Sequence, residues 1–153
     1  MNAAGSDRTI ADMAQDLDRA GRSALHYAAL DGDADRIGQL LADGENPNVA
    51  DRAAGFTPLH FAAQGRHAEV ARALLIAGAE VDPRDHLGRT PLATALRSIE
   101  RGGDEVIAVL LEFGAYPDCV DLHGISPRDL ALSVDHYALR RFLTPVDATR
   151  NQG

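Results

Sequence analysis

The chain has no lysine, no tryptophan, one cysteine and an aromatic share of only 5% in 153 residues. Each scarcity excludes something. A lone thiol, Cys119, cannot close an intramolecular disulfide, and nothing in the thiol content points to an oxidising compartment. Without lysine there is no glycine-rich phosphate loop of the usual kind, and HExxH, CxxC and GxSxG are also missing. No apolar run approaches the roughly 20 residues of a membrane helix. The first residues lack the basic and long apolar regions of a secretory signal. A cytoplasmic protein that contacts no membrane is therefore expected. All fifteen basic residues are arginine, which points to a GC-rich coding genome and hence a bacterial source. The net charge of −8 leaves no clustered positive charge for nucleic acid. Residues 1 to 51 hold ten acids against four arginines, so a charge-guided partner is expected to be basic.

What the chain does have is a recurring stretch. Thr57-Pro58-Leu59-His60-Phe61-Ala62-Ala63 is preceded by Ser23-Ala24-Leu25-His26-Tyr27-Ala28-Ala29, 34 residues earlier. Thr90-Pro91-Leu92 follows after 33 residues and Ser126-Pro127 after a further 36. A period in the low thirties indicates stacked units. The hydroxyl of each Ser or Thr can accept from an unpaired amide in a first helical turn, and a proline after it has its angle preset. Each copy therefore predicts a helix start. The paired alanines leave room for a neighbouring helix to pack close. A second helix is predicted from apolar residues at helical spacing: Ile37, Leu40 and Leu41; Val70, Leu74 and Leu75; Val106, Leu110 and Leu111; Leu139 and Leu143. Gly44, Gly78 and Gly114 stand where the first three should stop. An Asp followed by a Gly precedes each first helix, as Asp18 and Gly21, Asp51 and Gly55, Asp85 and Gly88, and Asp121 and Gly124, which is turn chemistry.

With these residues in register from about 18 to 144, the sequence resembles the ankyrin repeat family. The resemblance implies an all-α solenoid of four helix-turn-helix units joined by β-turn or hairpin loops. The expected division is a tail and capping helix over 1–17, units over 18–50, 51–84 and 85–120, a capping unit over 121–144 and a tail over 145–153. The third unit carries an insertion near 98–103, where Gly102-Gly103 marks a flexible link. Stability in such a stack comes from neighbouring interfaces, and its ends need caps. Thr9 to Leu17 is expected to make the first cap. Arg36 replaces the apolar residue found at Val70 and Val106, as suits an outer unit. Asp31, Asp33 and Asp35 are expected near the start of a helix, where its dipole favours negative charge. Arg66 stands where the family has glycine.

No catalytic residue, cofactor or metal is expected. The resemblance gives His26, His60 and His67 structural roles, with His26 and His60 bonding to neighbouring turns. His86, His123, Cys119 and Asp121 would have to converge to about four ligands within roughly 2.0 to 2.3 Å to hold zinc. Two tips a unit apart do not arrange that. A Cys119 and His123 pair has no third group to orient it.

Members of the family bind proteins through turn tips and first helices. Carried over position by position, the expected binding residues are Arg19, Ala20 and Arg22, then Arg52, Ala54 and Phe56, then His86, Leu87 and Arg89, then Leu122, His123 and Ile125. Leu30, Asp31 and Gln64 join them from the first helices. Phe56 is the expected exposed anchor, with folding back onto Arg52 or Ala54 as the alternative. The expected function is a non-enzymatic protein-protein interaction module, a monomer when alone. Its partner is another protein, a basic toxin or an enzyme. Likeness to small free-standing bacterial ankyrin proteins implies an immunity protein that inhibits a cognate toxin. The alternative is a regulatory subunit or chaperone of a neighbouring enzyme.

Overall fold

A computed structural model of the chain describes residues 17–99 and 103–133. Within them lie seven helices and no strand: α1 (Ala24–Asp31), α2 (Ala34–Ala42), α3 (Pro58–Gly65), α4 (Ala68–Ile76), α5 (Pro91–Arg97), α6 (Asp104–Glu112) and α7 (Pro127–Ser133). The helix starts follow from the sequence. Thr57 Oγ1 accepts from the His60 amide at 3.4 Å, Thr90 Oγ1 from Ala93 at 3.3 Å and Ser126 Oγ from Asp129 at 3.1 Å. Each satisfies a donor that the first turn would otherwise leave open. Proline occupies the first position of α3, α5 and α7.

The helix ends are equally local. Gly44, Gly78 and Gly114 take φ of 91°, 102° and 92° just beyond α2, α4 and α6, as predicted. Gly32 ends α1 at φ 74°. Its counterpart after α3 is Arg66, at φ 62°, the one non-glycine residue with positive φ among the described residues. A side chain there carries a steric cost that glycine avoids.

The helices form two layers. α1, α3, α5 and α7 pack in sequence as one layer, while α2, α4 and α6 pack as the other. The core lies between them and is built from Leu25, Ile37, Leu59, Leu74, Leu92, Ile107 and Leu110, all fully buried. Buried Ala28, Ala29, Ala62 and Ala63 allow α1 and α3 to approach closely. Val70 and Val106 are buried, whereas Arg36 at the matching place on the outermost described α2 is exposed.

Two expectations change in detail. Asp33 is the residue that caps α2, accepting from the Arg36 amide at 3.0 Å, and Asp35 lies in its first turn. Asp31 instead ends α1. Beyond α5, Ile99 folds into the core and Gly103, at φ 118°, starts α6. Gly102 lies outside the described residues, as do the first-cap residues before Leu17 and the last helix with Leu139, Leu143 and Pro145.

Because each layer is only one helix deep, a core leucine meets both neighbours. Leu74→Ala is expected to lower the unfolding free energy by about 2–5 kcal/mol. Ile76→Ala, at a side chain 71% exposed, should stay within about 0.5 kcal/mol. Urea unfolding followed by circular dichroism checks both; equal losses would mean the layers are assigned wrongly.

Candidate functional site

The four Asp-to-Gly turns fold into tips of one design. In each, a single aspartate oxygen accepts two backbone amides from its own turn. Asp18 takes those of Ala20 and Arg22, both at 2.9 Å. Asp51 takes Ala54 at 3.0 Å and Phe56 at 2.9 Å. Asp85 takes Leu87 at 2.9 Å and Arg89 at 2.8 Å, and Asp121 takes His123 at 2.8 Å and Ile125 at 3.0 Å. Asp51, Asp85 and Asp121 are buried. Burial pushes the Asp51 carboxyl up, but the Arg22 guanidinium and the Phe56 and Ala54 amides outweigh it and hold it below the usual value. Asp121 is also held low, its burial outweighed by the Ile125 and His123 amides. All four acids serve the turns, and the charge of the three buried ones does not face outward, while Asp18 is exposed.

Adjacent tips are joined edge to edge. Arg52 N–H donates to the Ala20 carbonyl at 2.7 Å, His86 N–H to Ala54 at 2.8 Å and Leu122 N–H to Leu87 at 2.9 Å. Two histidines add a second link. The Ser23 amide donates to His26 Nδ1 at 2.9 Å and the Thr57 amide to His60 Nδ1 at 3.1 Å. Each ring is thereby fixed with its proton on Nε2, which lies 3.0 Å from the Phe56 carbonyl and 2.9 Å from the Arg89 carbonyl. His26 and His60 therefore bond to neighbouring turns, as expected. His67 Nε2 is 3.0 Å from the Leu30 carbonyl.

The predicted binding residues divide into two groups. Arg19, Arg52, His86, Leu87, Leu122, His123 and Ile125 are exposed along the joined tips, with Ala20 and Ala54 half-buried among them. Leu30 and Gln64 are exposed at matching positions of α1 and α3. Arg97 continues that column on α5, and Tyr27 stands exposed one turn before Leu30. Sequence reasoning missed both, although the spacing of seven residues from Ser23, Thr57 and Thr90 was available to find Arg97. Asp31 is exposed beyond this column.

The second group turns inward. Arg22 pairs with buried Asp51 at 2.9 Å and lies 5.0 Å from the Phe61 ring centroid. Arg89 pairs with Asp85 at 3.3 Å. Phe56 is half-buried instead of exposed, and its ring partners lie on the following helix. It stacks on His60, with centroids 4.9 Å apart and planes 16° off parallel, and meets Phe61 edge-on at 5.3 Å. The reason is the adjacent uncharged imidazole, which offers a flat apolar face.

The opposite layer carries a shallow cleft of about 520 Å³ lined by Ala68, Glu69, Arg72, Glu105, Ala108 and Val109. Arg72 is tied across it to Glu112 at 2.6 Å. Among the described residues no three His, Cys, Asp or Glu side chains gather as a metal site, and no helix is long and apolar enough to cross a membrane.

A family model described as ankyrin repeats (3 copies) matches residues 7–85 and 25–121. The tyrosine-protein kinase HTK16 of Hydra vulgaris is 34% identical over 127 residues, covering 80% of this chain and 16% of that protein. The tyrosine-protein kinase Shark of Drosophila melanogaster is 35% identical over 138 residues, covering 86% and 14%. The human SH3 and multiple ankyrin repeat domains protein 2 is 38% identical over 94 residues, covering 61% and 5%. The chain thus spans a small part of each relative.

The histidine links predict an acid-sensitive fold. Burial holds the His26 and His60 imidazoles below their ordinary value, against the opposing pull of the Phe56 and Arg89 carbonyls and of Asp51 and Asp85. The unfolded chain takes up these protons as pH falls through about 6.5, while the folded chain resists. Stability present at pH 7 is therefore lost from about 6.5 downward. A second loss begins below about 3.9, where the unfolded carboxylates protonate before the depressed Asp51 and Asp121. Urea midpoints at pH 7 and 5 test the first stage, and identical midpoints would contradict it.

Proposed function

The chain belongs to the ankyrin repeat family, and from that premise we propose that it binds another protein through its joined tips and the exposed column Leu30, Gln64 and Arg97. Ankyrin repeats indicate a protein-protein interaction module, and the family is generally non-enzymatic. The observation that carries the reading is the row Arg19, Arg52, His86, Leu87 and Leu122, exposed on tips held in register by backbone hydrogen bonds. The tips keep most of their acids for themselves, so the outward row mixes arginine, histidine and leucine. Arginine and large apolar side chains on a rigid support suit an anchor-based interface.

The finer assignments belong to the same proposal. The stack is divided into units at 18–50, 51–84, 85–120 and 121–144, acts in the cytoplasm and is a monomer when alone. In one version the partner is a toxin and the chain is an immunity protein that occludes it. In the other, the chain is a regulatory subunit or chaperone of an enzyme. They differ in whether the bound partner stays active. A basic partner is favoured by a specific feature, the exposed Asp33, Asp35 and Asp43 around α2, whose charge would steer such a partner toward the front of the stack.

The reading is tested by affinity purification with the tagged chain and point variants. Arg52→Glu and Leu122→Ala should each weaken the co-purifying partner about tenfold or more, with the helical circular-dichroism signal unchanged. Ile76→Ala, on the opposite layer, should leave binding intact. Loss through Ile76 alone would move the site off the tips, and Asp33→Arg would then examine the acidic front.

A further inference from the structure

The three seams between neighbouring tips are latched unequally. At the first, the Arg52 amide bond to Ala20 is joined by His26 on the Phe56 carbonyl and by Arg22 on Asp51. At the second, the His86 amide bond to Ala54 is joined by His60 on the Arg89 carbonyl. At the third, the Leu122 amide still bonds to Leu87. The helix position that supplied an imidazole twice is here Ala93, which is buried.

The acceptor left behind is identifiable. The Phe56 and Arg89 carbonyls each accept both a histidine and an aspartate amide, from Asp51 and Asp85 respectively. The Ile125 carbonyl, their counterpart, accepts the Asp121 amide at 2.9 Å and has no second partner among the described residues. An Arg97 to Asp121 ion pair at 3.5 Å and an Arg84 to Cys119 contact at 2.6 Å also cross this seam, but both lie at the surface, the first from an arginine side chain 39% exposed. Water and salt weaken such a pair. The fourth tip also carries the most exposed apolar side chain described, Leu122 at 72%, together with Ile125 at 37%.

We infer that the fourth tip, the last among the described residues, opens independently: it parts from the third while the first three stay latched, which lets Leu122 and Ile125 adjust to a partner. The opening stands on the seam geometry alone. Its use in recognition rests on the tips being the binding face proposed above.

Amide hydrogen exchange on the full chain tests the opening without any partner, so its failure is distinct from failure of the binding reading. The amides of Arg52, His86 and Leu122 occupy the same place in successive seams. After correction for intrinsic rates, Leu122 should exchange about tenfold or more faster than His86, the effect of about one hydrogen bond. Ala93→His places an imidazole behind Thr90, as His60 lies behind Thr57, and should slow Leu122 by a similar factor. His60→Ala is the reciprocal change and should speed His86 more than Arg52. If Leu122 exchanges as slowly as His86, the inference is overturned. The same holds if folded Ala93→His leaves the Leu122 rate unchanged, since ordinary end fraying then explains it. Should Ala93→His not fold, His60→Ala decides: selective acceleration of His86 supports the latch, and equal acceleration of all three amides overturns it.

Discussion

A neutral imidazole that accepts at one nitrogen and donates at the other is the interaction on which the stack depends. Nδ1 of His26 faces the Ser23 amide and Nδ1 of His60 faces the Thr57 amide. That leaves each Nε2–H for a carbonyl in the next tip, about 30 residues away in the chain. A protonated ring would set a second donor against an amide donor, so the same geometry that builds the link requires it uncharged. Helix start, side-chain tautomer and unit-to-unit register are thereby one arrangement. In a molecule whose units bury their faces only on neighbours, such links substitute for a central core.

The aspartates of the tips are the complementary constraint. An acid that accepts two amides in its own turn shapes the loop, and at Asp51, Asp85 and Asp121 it is also removed from the outer surface, whereas Asp18 stays exposed. The arginines of the tips are then divided by geometry, with Arg22 and Arg89 turned toward carboxylates and Arg19 and Arg52 exposed. This division explains how a chain of net charge −8 can show arginines at its tips. The charge that remains outward on α2, at Asp33, Asp35 and Asp43, lies on a different part of the molecule.

Much of this architecture was legible beforehand because its causes are local. The hydroxyl caps at Thr57, Thr90 and Ser126, the prolines behind them and the glycines after α2, α4 and α6 act within one helical turn, and these fell where the sequence placed them. The resemblance to the ankyrin family implied that Arg19, Arg52, His86, Leu87, Leu122 and His123 stand on turn tips, and all six are exposed there. Phe56 is not, because its position depends on two rings, His60 and Phe61, that close over it only once α3 has formed. Asp31 ends α1, as its place among the first-helix residues implied, and Asp33, two positions on, is the acid that caps α2. Tyr27 was overlooked because its helix position is buried at Phe61 in the next unit, whereas Arg97 shares the exposed position of Leu30 and Gln64 and could have been found from it.

The sequence by itself determined the period, the helix starts and stops, the two apolar faces and the family, because each depends on residues a few positions apart or on their repetition. Tertiary structure alone decided which polar side chains remain for a partner. Arg22 is taken up by Asp51, 29 residues on, and Phe56 is covered by rings of the following helix. Among the described residues the Ile125 carbonyl has no second donor, because Ala93, in the unit before, stands where two other units have a histidine. Whether a side chain is spent or free is a property of two units in contact, and no single unit's sequence contains it.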